Sequence, residues 1–276
     1  MQPLLFLASL AAASPVARSV SATTAASTID APFPIHSSCN ATQQTQLARG
    51  LAETVLLAET AKAHLLKHGH ESQIVQKYFG NGTTATALGW YERVISADRG
   101  NMTFRCDDPD KNCATQADWA GHWRGDNATQ ETVICDLSYH KRLYLSSMCT
   151  RGYIVAGSPL NTFWATDLLH RVFHVPQISE SIVDHFAESY AEATELAATD
   201  AGKAARDSDV LQYFAVEVYA HDVAVPGEGC LGTEAEEQTE DETHSTDDST
   251  SDAGTGSVSQ KSMYLAVAVS VGLALV

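Results

Sequence analysis

The sequence predicts a single helix-dominated α+β domain that is cross-linked by disulfides. Apolar residues recur at helical spacing on both sides of a middle stretch, residues 83–145, which mixes Gly, Asp and Asn turns with short runs typical of strands. Six cysteines without a C-x-x-C pair indicate disulfides and an oxidising compartment. The roughly two hundred residues from 23 to 232 are enough for one core and do not require two.

The first helical region is a long helix or a helical hairpin. Apolar positions at helical spacing run from about Gln43 to Lys77, and Gly69 is the expected break. In the middle stretch, residues 102–106 and 132–135 are predicted to be strands.

Helices return after residue 160. Asn161 or Thr162 can cap the first of them, which must end near Val175 because Pro176 disfavours helix at the residue before it.

Two more helices are predicted after this one. Ser179 or Ser181 is expected to cap a helix that carries Phe186 and Ala193 on its apolar stripe. Asp207 is expected to cap the last helix of the domain.

Sequence spacing does not determine how the cysteines pair. Cys106 with Cys113 would close a short loop rich in Asp, Pro and Asn, and Cys39 with Cys230 would join the two ends of the domain. Both pairings are expectations for the structure to test. The set is Cys39, Cys106, Cys113, Cys135, Cys149 and Cys230.

Both ends of the chain are predicted to be removed. Residues 1–22 fit a secretory signal peptide, with cleavage after Ala13 or Ala22, although the start lacks a positive charge. Residues 261–276 are apolar to the last residue and short for a membrane span. They are typical of the tail that a glycosylphosphatidylinositol (GPI) anchor replaces, an unprocessed tail anchor being the competing interpretation.

An acidic stalk is predicted between the domain and this tail. Residues 233–260 are rich in Glu, Asp, Thr, Ser and Gly, a composition that cannot bury enough apolar area to fold. The small residues Ser251, Asp252 and Gly254 are candidates for GPI attachment. The formal net charge of −17 argues against nucleic acid as a partner and against a basic membrane contact, so a membrane would be reached only through the GPI lipid. Four sequons predict surface glycans at Asn40, Asn81, Asn101 and Asn127.

The candidate metal ligands begin with His170 and His174. Residues four apart share one face of a helix, so both imidazoles can bind one ion, as in the zinc motif H-E-x-x-H. Arg171 stands where a metallopeptidase has the glutamate that takes a proton from zinc-bound water, and a guanidinium cannot be that base. The pattern therefore favours zinc binding over proteolysis.

A third protein ligand is usual for zinc, and His185 is the preferred candidate. Asp184 and Glu188 are the alternates. Glu188 and Glu192 would share a helical face with His185, where they could orient it or act as an unusual catalytic base.

A second histidine cluster contains His64, His68 and His70, with Glu59 upstream. Because it lies near the helix end at Gly69, we interpret it as solvent-exposed histidines where positive charge is favourable. A Gly-x-Ser-x-Gly motif is absent, so no serine hydrolase is indicated by the sequence.

Several segments together resemble the fungal H-R-x-x-H family of surface antigens and allergens. The resemblance covers nearly all of the region between the first and last cysteines and includes His-Arg-Val-Phe-His-Val-Pro at 170–176, Val-Asp-His-Phe-Ala-Glu-Ser-Tyr at 183–190, Leu-Gln-Tyr-Phe-Ala at 211–215 and Val-Pro-Gly-Glu-Gly-Cys at 225–230. That family in turn is similar to the deuterolysin, or aspzincin, metallopeptidases. The resemblance implies a zincin-like fold, and a third ligand near Asp184 and His185, where those peptidases have an aspartate.

The resemblance also implies extracellular zinc binding, zinc scavenging and contact with host proteins. Zincophore members of the family commonly end in a soluble His- and Cys-rich tail, whereas this chain is expected to end in an acidic stalk and a lipid-attachment signal. The leading hypothesis is a cell-surface protein that binds one Zn²⁺ per domain without peptidase activity and captures zinc or passes it to a transporter. The alternatives are a zinc endopeptidase with a non-standard base and a GPI-anchored adhesin or immune-contact protein with structural zinc.

Overall fold

Helices dominate the structure, as the sequence predicts. The computed structural model describes residues 31–232, all of which belong to one unit, Met1–Ala235. The expected signal peptide, stalk and tail, together with Ser251, Asp252 and Gly254, lie outside the described residues.

The described part contains ten helices and three strands. The helices are α1 (Ala41–His68), α2 (Gln73–Phe79), α3 (Ala85–Ser96), α4 (Asn112–Thr115), α5 (Asp136–Lys141), α6 (Trp164–His174), α7 (Pro176–Ser179), α8 (Tyr190–Thr199), α9 (Ala201–Ala204) and α10 (Ser208–Tyr219). The strands are β1 (Thr103–Arg105), β2 (Gly121–Trp123) and β3 (Glu131–Ile134). Short 3₁₀ turns occupy Gly69–Glu71, Gly125–Asn127, Leu145–Ser147 and Leu160–Thr162, and a π-helical turn, Ala220–Ala224, follows α10.

The small sheet has the strand order β1-β3-β2. β1 runs parallel to β3, and β2 runs antiparallel to it, with His122 opposite Val133. Strands were predicted at the positions of β1 and β3, and the structure confirms both. β2 therefore forms one edge of the sheet, and this edge faces the C-terminal end of α6.

The core is built around α1, α6 and α10. Gly50 allows α1 and α6 to approach closely, because a Cβ at this position would lie 3.0 Å from the Cβ of Trp164. The Thr54 hydroxyl donates to the carbonyl of Ala165 at 3.3 Å across the same contact. This packing holds α6, which carries the candidate metal ligands, rigidly in the middle of the molecule.

Several predicted helix ends are confirmed. α1 ends at His68, before Gly69, whose φ of 50° is left-handed and favours glycine. α6 ends at His174, and Pro176 opens α7. Asp207 caps α10, its Oδ1 accepting from the backbone N–H of Val210 at 2.7 Å.

Two capping predictions are wrong. Neither Asn161 nor Thr162 caps α6, because a 3₁₀ turn occupies both and Phe163 stands at the cap position without a side-chain bond. The helix expected to begin after Ser179 or Ser181 begins later, and Phe186 lies outside it, while Ala193 is buried on it as predicted. Glu180 and Ser181 both take left-handed conformations, which do not continue into a helix. A loop follows, and α8 begins only at Tyr190.

The cysteine pairing also differs from expectation. The disulfides are Cys39–Cys106, Cys113–Cys135 and Cys149–Cys230, so neither Cys106–Cys113 nor Cys39–Cys230 occurs. Two of the observed pairs lie beside strand-like contacts between distant segments. Ile35 pairs with Phe104 and brings Cys39 beside Cys106, and the backbone N–H of Val155 donates to the Cys230 carbonyl, close to Cys149.

Candidate metal centre

The last turns of α6 present His170 and His174 on one face of the helix. The four-residue spacing brings their rings to a centroid distance of 4.7 Å. Their Nε2 atoms lie 3.1 Å apart. Because α6 is packed into the core, both imidazoles are fixed by the scaffold and remain only half-buried.

His185 reaches the same point from the loop between α7 and α8. Its Nε2 lies 3.2 Å from Nε2 of His174, and its ring centroid lies 5.0 Å from that of His170. The loop is held by Asp207, whose Oδ2 accepts from the backbone N–H groups of Phe186 at 2.6 Å and Ala187 at 3.0 Å. His185 is therefore placed by a buried carboxylate and not by the helix that the sequence predicted.

The three imidazoles match the geometry that zinc requires. Ligand nitrogens of His170, His174 and His185 all lie within 4.8 Å of one another. Two nitrogens bound to a tetrahedral zinc ion at its usual bond length are about 3.3 Å apart, close to the observed separations of 3.1 Å and 3.2 Å. Three nitrogens with a cleft beside them suit a zinc site with an open fourth position.

Two of the three imidazoles are held in the neutral, metal-competent form. Burial, together with the neighbouring His174 and Arg171, lowers the pKa of His170 well below its usual value. Burial and the same kind of charge repulsion, here from His185 and Arg171, lower the pKa of His174 to about 4. The carboxylate of Asp209 instead raises the pKa of His185. The lone pairs of the two α6 histidines are thus free at neutral pH.

Asp209 and Gln212, both on α10, stand behind the ligands. Asp209 Oδ1 lies 3.6 Å from Nδ1 of His185 and 4.0 Å from Nδ1 of His170. Gln212 is fully buried, with its Nε2 3.2 Å from Nδ1 of His170. Its Oε1 is buried without a hydrogen-bond partner among the described residues, and half a turn of the amide would let Oε1 accept an Nδ1 proton. When a histidine binds a metal through Nε2, an acceptor of its Nδ1 proton fixes the orientation of the ring.

Trp123, at the end of the edge strand β2, covers another side of the site. Its ring is nearly parallel to that of His174, with centroids 6.5 Å apart and an angle of 8° between the planes. The indole N–H donates to the Thr129 carbonyl at 2.9 Å, which fixes the ring. The indole and His174 thus line the same cleft.

Arg171 is built into the scaffold. It is 6% exposed, and its Nε and Nη2 donate to the two oxygens of Asp167 at 3.1 Å and 2.9 Å. Asp167 is itself buried and also accepts from Arg142 Nη2 at 3.0 Å. A Cβ at Gly121 would lie 3.0 Å from the Arg171 guanidinium carbon, so the side chain passes directly beneath β2.

The alternate ligands are placed differently. Asp184 Oδ1 accepts from the N–H of the next residue, His185, at 2.9 Å, and Asp184 is outside the converging group. Glu192 Oε2 accepts from the backbone N–H of Glu188 at 2.7 Å, so this carboxylate stabilises the start of α8. Glu188 itself is exposed and lines the cleft beside His185. The loop conformation removes the helical face on which the sequence placed both glutamates with His185.

Clefts open on two sides of the candidate metal centre. One, of about 750 Å³, is lined by His170, His185, Glu188 and Asp209 together with the 156–161 segment. The other, of about 430 Å³, is lined by His170, His174 and Arg171 together with β2. The site is therefore reachable from solvent.

A second converging group, Cys113, His122 and Cys135, is not a comparable site. Its cysteines form a disulfide, and metal binding requires the thiolate.

The asparagines of the four predicted glycosylation sequons are all exposed, so glycans would have room there: Asn40, Asn81, Asn101 and Asn127.

Several residues of the site were not predicted from the sequence. Asp207, Asp209 and Gln212 carry no recognisable spacing relative to His170, because they reach the site through the packing of α10 and the loop before α8. Asp167 lies on α6 four residues before Arg171, so the signal that could have found it is the i,i+4 spacing of an ion pair. The interpretation of the second cluster is wrong for His64, which is 4% exposed, whereas His70 is exposed as predicted.

The fold and the three converging histidines define a class of helix-dominated protein with a candidate metal site. Similarity to known sequences identifies the family. A family model described as "HRXXH: Putative peptidase family" matches residues 4–233, and the chain belongs to this family. Arg171 occupies the second position of the motif that gives the family its name.

Three fungal proteins are similar to most of the chain. The chain is 56% identical over 200 residues to "Major allergen Asp f 2" of Aspergillus fumigatus, covering 72% of this chain and 64% of the relative. It is 55% identical over 208 residues to "Antigen 1" of Emericella nidulans, covering 75% of each. It is 48% identical over 201 residues to "pH-regulated antigen PRA1" of Candida albicans, covering 72% of this chain and 67% of the relative. The chain thus spans less than two thirds of the length of Asp f 2.

A solved structure, "Zinc peptidase from Grifola frondosa", is similar at 18% identity with a TM-score of 0.48, covering 65% of this chain and 97% of that chain. Within residues 31–232, no helix is long and apolar enough to cross a membrane.

Proposed function

We propose that this protein binds one zinc ion through His170, His174 and His185 and acts in extracellular zinc capture without peptidase activity. The observation that carries the proposal is the convergence of three imidazole Nε2 atoms, two pairs of them 3.1 Å and 3.2 Å apart. Three imidazole nitrogens and an open fourth position form a donor set that suits zinc. The proposal also draws on the family, which is described as a putative peptidase family.

The burial of Arg171 supports binding without hydrolysis. A zinc peptidase needs a carboxylate that takes a proton from the bound water, and this position instead holds a guanidinium locked onto Asp167. When bound, zinc would supply a Lewis acid at the cleft. The residues around it orient the ligands, and Arg171 supplies no base at the position where a peptidase has its glutamate.

The surface setting is part of the proposal. The relatives are named as antigens and an allergen, which fits an extracellular protein. We take residues 1–22 as a signal peptide, residues 261–276 as a GPI signal and the four sequons as glycan sites. Together they would place the proposed zinc site outside the cell on an acidic stalk. A zinc transporter or a host extracellular protein would then be the partner.

Competition with a chromophoric zinc chelator at neutral pH tests the site. The wild-type chain should withdraw zinc from the chelator, and both His170→Ala and His185→Ala should lose at least a hundredfold in affinity. His140→Ala, at an exposed histidine of α5 remote from the site, is the matched control and should bind as wild type. Equal affinity for all four proteins would refute the proposed ligands.

A zinc peptidase is the second candidate, because Glu188 lines the cleft that also contains His170 and His185. Its carboxylate is exposed and could reach a water molecule in the open position. Zinc-loaded wild type and Glu188→Gln should both leave unstructured protein substrates intact. Cleavage that needs zinc and disappears in Glu188→Gln would replace the binding function with the enzymatic one.

A further inference from the structure

Another cleft, of about 450 Å³, lies at the C-terminal end of α1, away from the candidate zinc ligands. Polar and ionisable groups line it, among them His64, Ser72, Lys77 and Glu217. Nothing in the proposed zinc function uses these residues.

Three of the groups in and beside this cleft form one hydrogen-bonded chain. Ser72 Oγ lies 2.8 Å from Nε2 of His64, and Nδ1 of His64 lies 2.7 Å from Oδ2 of Asp222. Hydrolases activate a serine by this arrangement, in which a hydroxyl, an imidazole and a carboxylate each lie within hydrogen-bond distance of the next.

The chain assembles this arrangement from three separate places. α1 stops at Gly69, and the 3₁₀ turn Gly69–Glu71 reverses the backbone so that Ser72 lies over the last turns of α1, next to His64. Asp222 comes from the π-helical turn Ala220–Ala224 at the end of α10. Such turns are rare and occur frequently at functional sites.

We propose that Ser72, His64 and Asp222 are the nucleophile, general base and orienting carboxylate of a second, metal-independent hydrolytic site for small esters.

His64 is in the environment that a general base needs. It is 4% exposed and surrounded by Phe214 and His68, with ring centroids 6.1 Å and 4.7 Å away. With a proton on Nδ1 directed to Asp222, its Nε2 lone pair accepts from the Ser72 hydroxyl.

Asp222 is held by two histidines. Its Oδ1 lies 2.7 Å from Nδ1 of His221, while Oδ2 faces His64. Burial alone would raise the pKa of Asp222, but the hydrogen bonds to His221 and His64 outweigh it and lower that pKa. The carboxylate is therefore ionised at neutral pH and able to fix the tautomer of His64.

The lining of the cleft indicates the kind of substrate. Ile74, Leu231 and the Cys230 disulfide supply apolar surface, and the volume is that of a small molecule. Lys77 also lines the cleft, and its Nζ lies 2.6 Å from Oε1 of Glu217. The carboxylate therefore compensates the positive charge of the lysine. A short acyl ester, neutral and partly apolar, suits this lining.

The reaction is balanced within these residues and water. Ser72 Oγ attacks the ester carbonyl carbon while its proton moves to Nε2 of His64. The bond from carbon to the leaving oxygen then breaks, and the alcohol takes that proton. Water attacks the acyl-serine with His64 again as base, which releases the carboxylic acid and restores Ser72.

A fluorophosphonate probe tests the proposal without knowledge of the natural ester. Attack by Ser72 Oγ forms an O–P bond and releases fluoride, leaving a covalent adduct that peptide mapping by mass spectrometry can locate. The full chain is labelled after treatment with a chelator, so that the result does not depend on the zinc site. The expected adduct is on Ser72, and hydrolysis of p-nitrophenyl acetate should accompany it.

The variants distinguish the role of Ser72 as nucleophile from its role as helix cap, and test His64 as base. Ser72 also caps α2, its Oγ accepting from the N–H of Val75, so Ser72→Asn removes the nucleophile and keeps a capping side chain. Ser72→Asn should abolish labelling at this position. His64→Gln should slow labelling of Ser72 by about 10²-fold or more, and Asp222→Asn should slow it as well. His70→Gln, at an exposed histidine outside the chain of bonds, should label as wild type.

Two outcomes would overturn the proposal. One is a folded wild-type protein, with native circular dichroism, that gives no adduct on Ser72. The other is labelling that His64→Gln leaves unchanged. In either case the three residues form a structural link between α1 and the π-helical turn, and the zinc proposal is unaffected because zinc binding is measured on other residues.

Discussion

Nε2 of His170 and Nε2 of His174 lie 3.1 Å apart on the last turns of α6, at the separation two ligands of one zinc ion would have. His185 closes the group from a loop that Asp207 holds in place. The proposed zinc site therefore depends on two kinds of residue, those that carry the ligand nitrogens and those that hold the ligands in position.

Asp207 should matter for both stability and zinc affinity. Its carboxylate caps α10 and accepts two N–H groups of the loop that carries His185. Asp207→Ala should lower the free energy of unfolding by about 1 to 2 kcal/mol through the lost cap alone, and should also weaken zinc binding. Urea unfolding and chelator competition measure the two effects. Asp207→Asn, which keeps one acceptor oxygen, should lie between wild type and Asp207→Ala, and unchanged zinc affinity in Asp207→Ala would contradict the role assigned to the loop.

Asp209 should tune the site without holding the metal. Its carboxylate lies 3.6 Å from Nδ1 of His185, on the side away from Nε2. Asp209→Asn should weaken zinc binding by about 10- to 100-fold, the usual effect of an outer carboxylate, with little change in stability. Asp184→Asn is the control, because Asp184 bonds the backbone beside His185 and lies outside the converging group. If Asp184→Asn had the larger effect, Asp184 and not Asp209 would be the residue near the ion.

Arg171 should be needed for stability more than for zinc binding. Removing its guanidinium leaves the buried Asp167 with Arg142 as its remaining ion-pair partner among the described residues. Arg171→Gln should lower the free energy of unfolding by about 2 to 3 kcal/mol, somewhat less than for a buried charge that loses its last partner. Arg151→Gln, at an exposed arginine, should have almost no effect. An Arg171→Gln protein as stable as wild type would show that the buried pair is not stabilising.

Restoring the peptidase motif should not restore a peptidase. Arg171→Glu recreates H-E-x-x-H but places a second carboxylate against Asp167, where two like charges share one buried site. We expect a protein that unfolds at lower temperature than Arg171→Gln and cleaves no unstructured substrate. Zinc-dependent cleavage by Arg171→Glu would show that the side chain at 171 can turn toward the metal.

His122 should make the metal-free fold sensitive to acid. Burial lowers the pKa of His122 despite the nearby carboxylates of Asp110 and Asp108. Because the unfolded chain then binds more protons than the folded one below the usual histidine pKa, about 6.5, stability is lost as the pH falls through that value. The free energy of unfolding, measured with a chelator present from about pH 7 to about pH 5, should fall less steeply in His122→Gln than in wild type. Parallel curves would refute this assignment.

Local patterns predicted what depends on local interactions. The break at Gly69, the stop before Pro176, the two strands and the Asp207 cap all follow from one residue and its immediate neighbours, and the structure confirms them. The pair His170 and His174 is also local, because one helix carries both.

Other features depend on contacts between distant segments. The partner of Cys39 is set by strand pairing that brings it to Cys106, which spacing cannot show. The sequence predicts His185 on a helix, but that helix begins only at Tyr190, and His185 reaches the site on the loop that Asp207 holds. The chain of bonds from Ser72 to Asp222 joins residues 150 positions apart, so no sequence motif predicts it.

Metal content tests the central claim most directly. The purified full chain and the His170→Ala/His174→Ala variant would be dialysed at neutral pH with zinc and then against zinc-free buffer, followed by elemental analysis. The structure predicts about one zinc ion per chain in the wild type and almost none in the double variant, with native circular dichroism in both. Equal zinc in the two proteins, or none in either, would contradict a zinc site at these histidines.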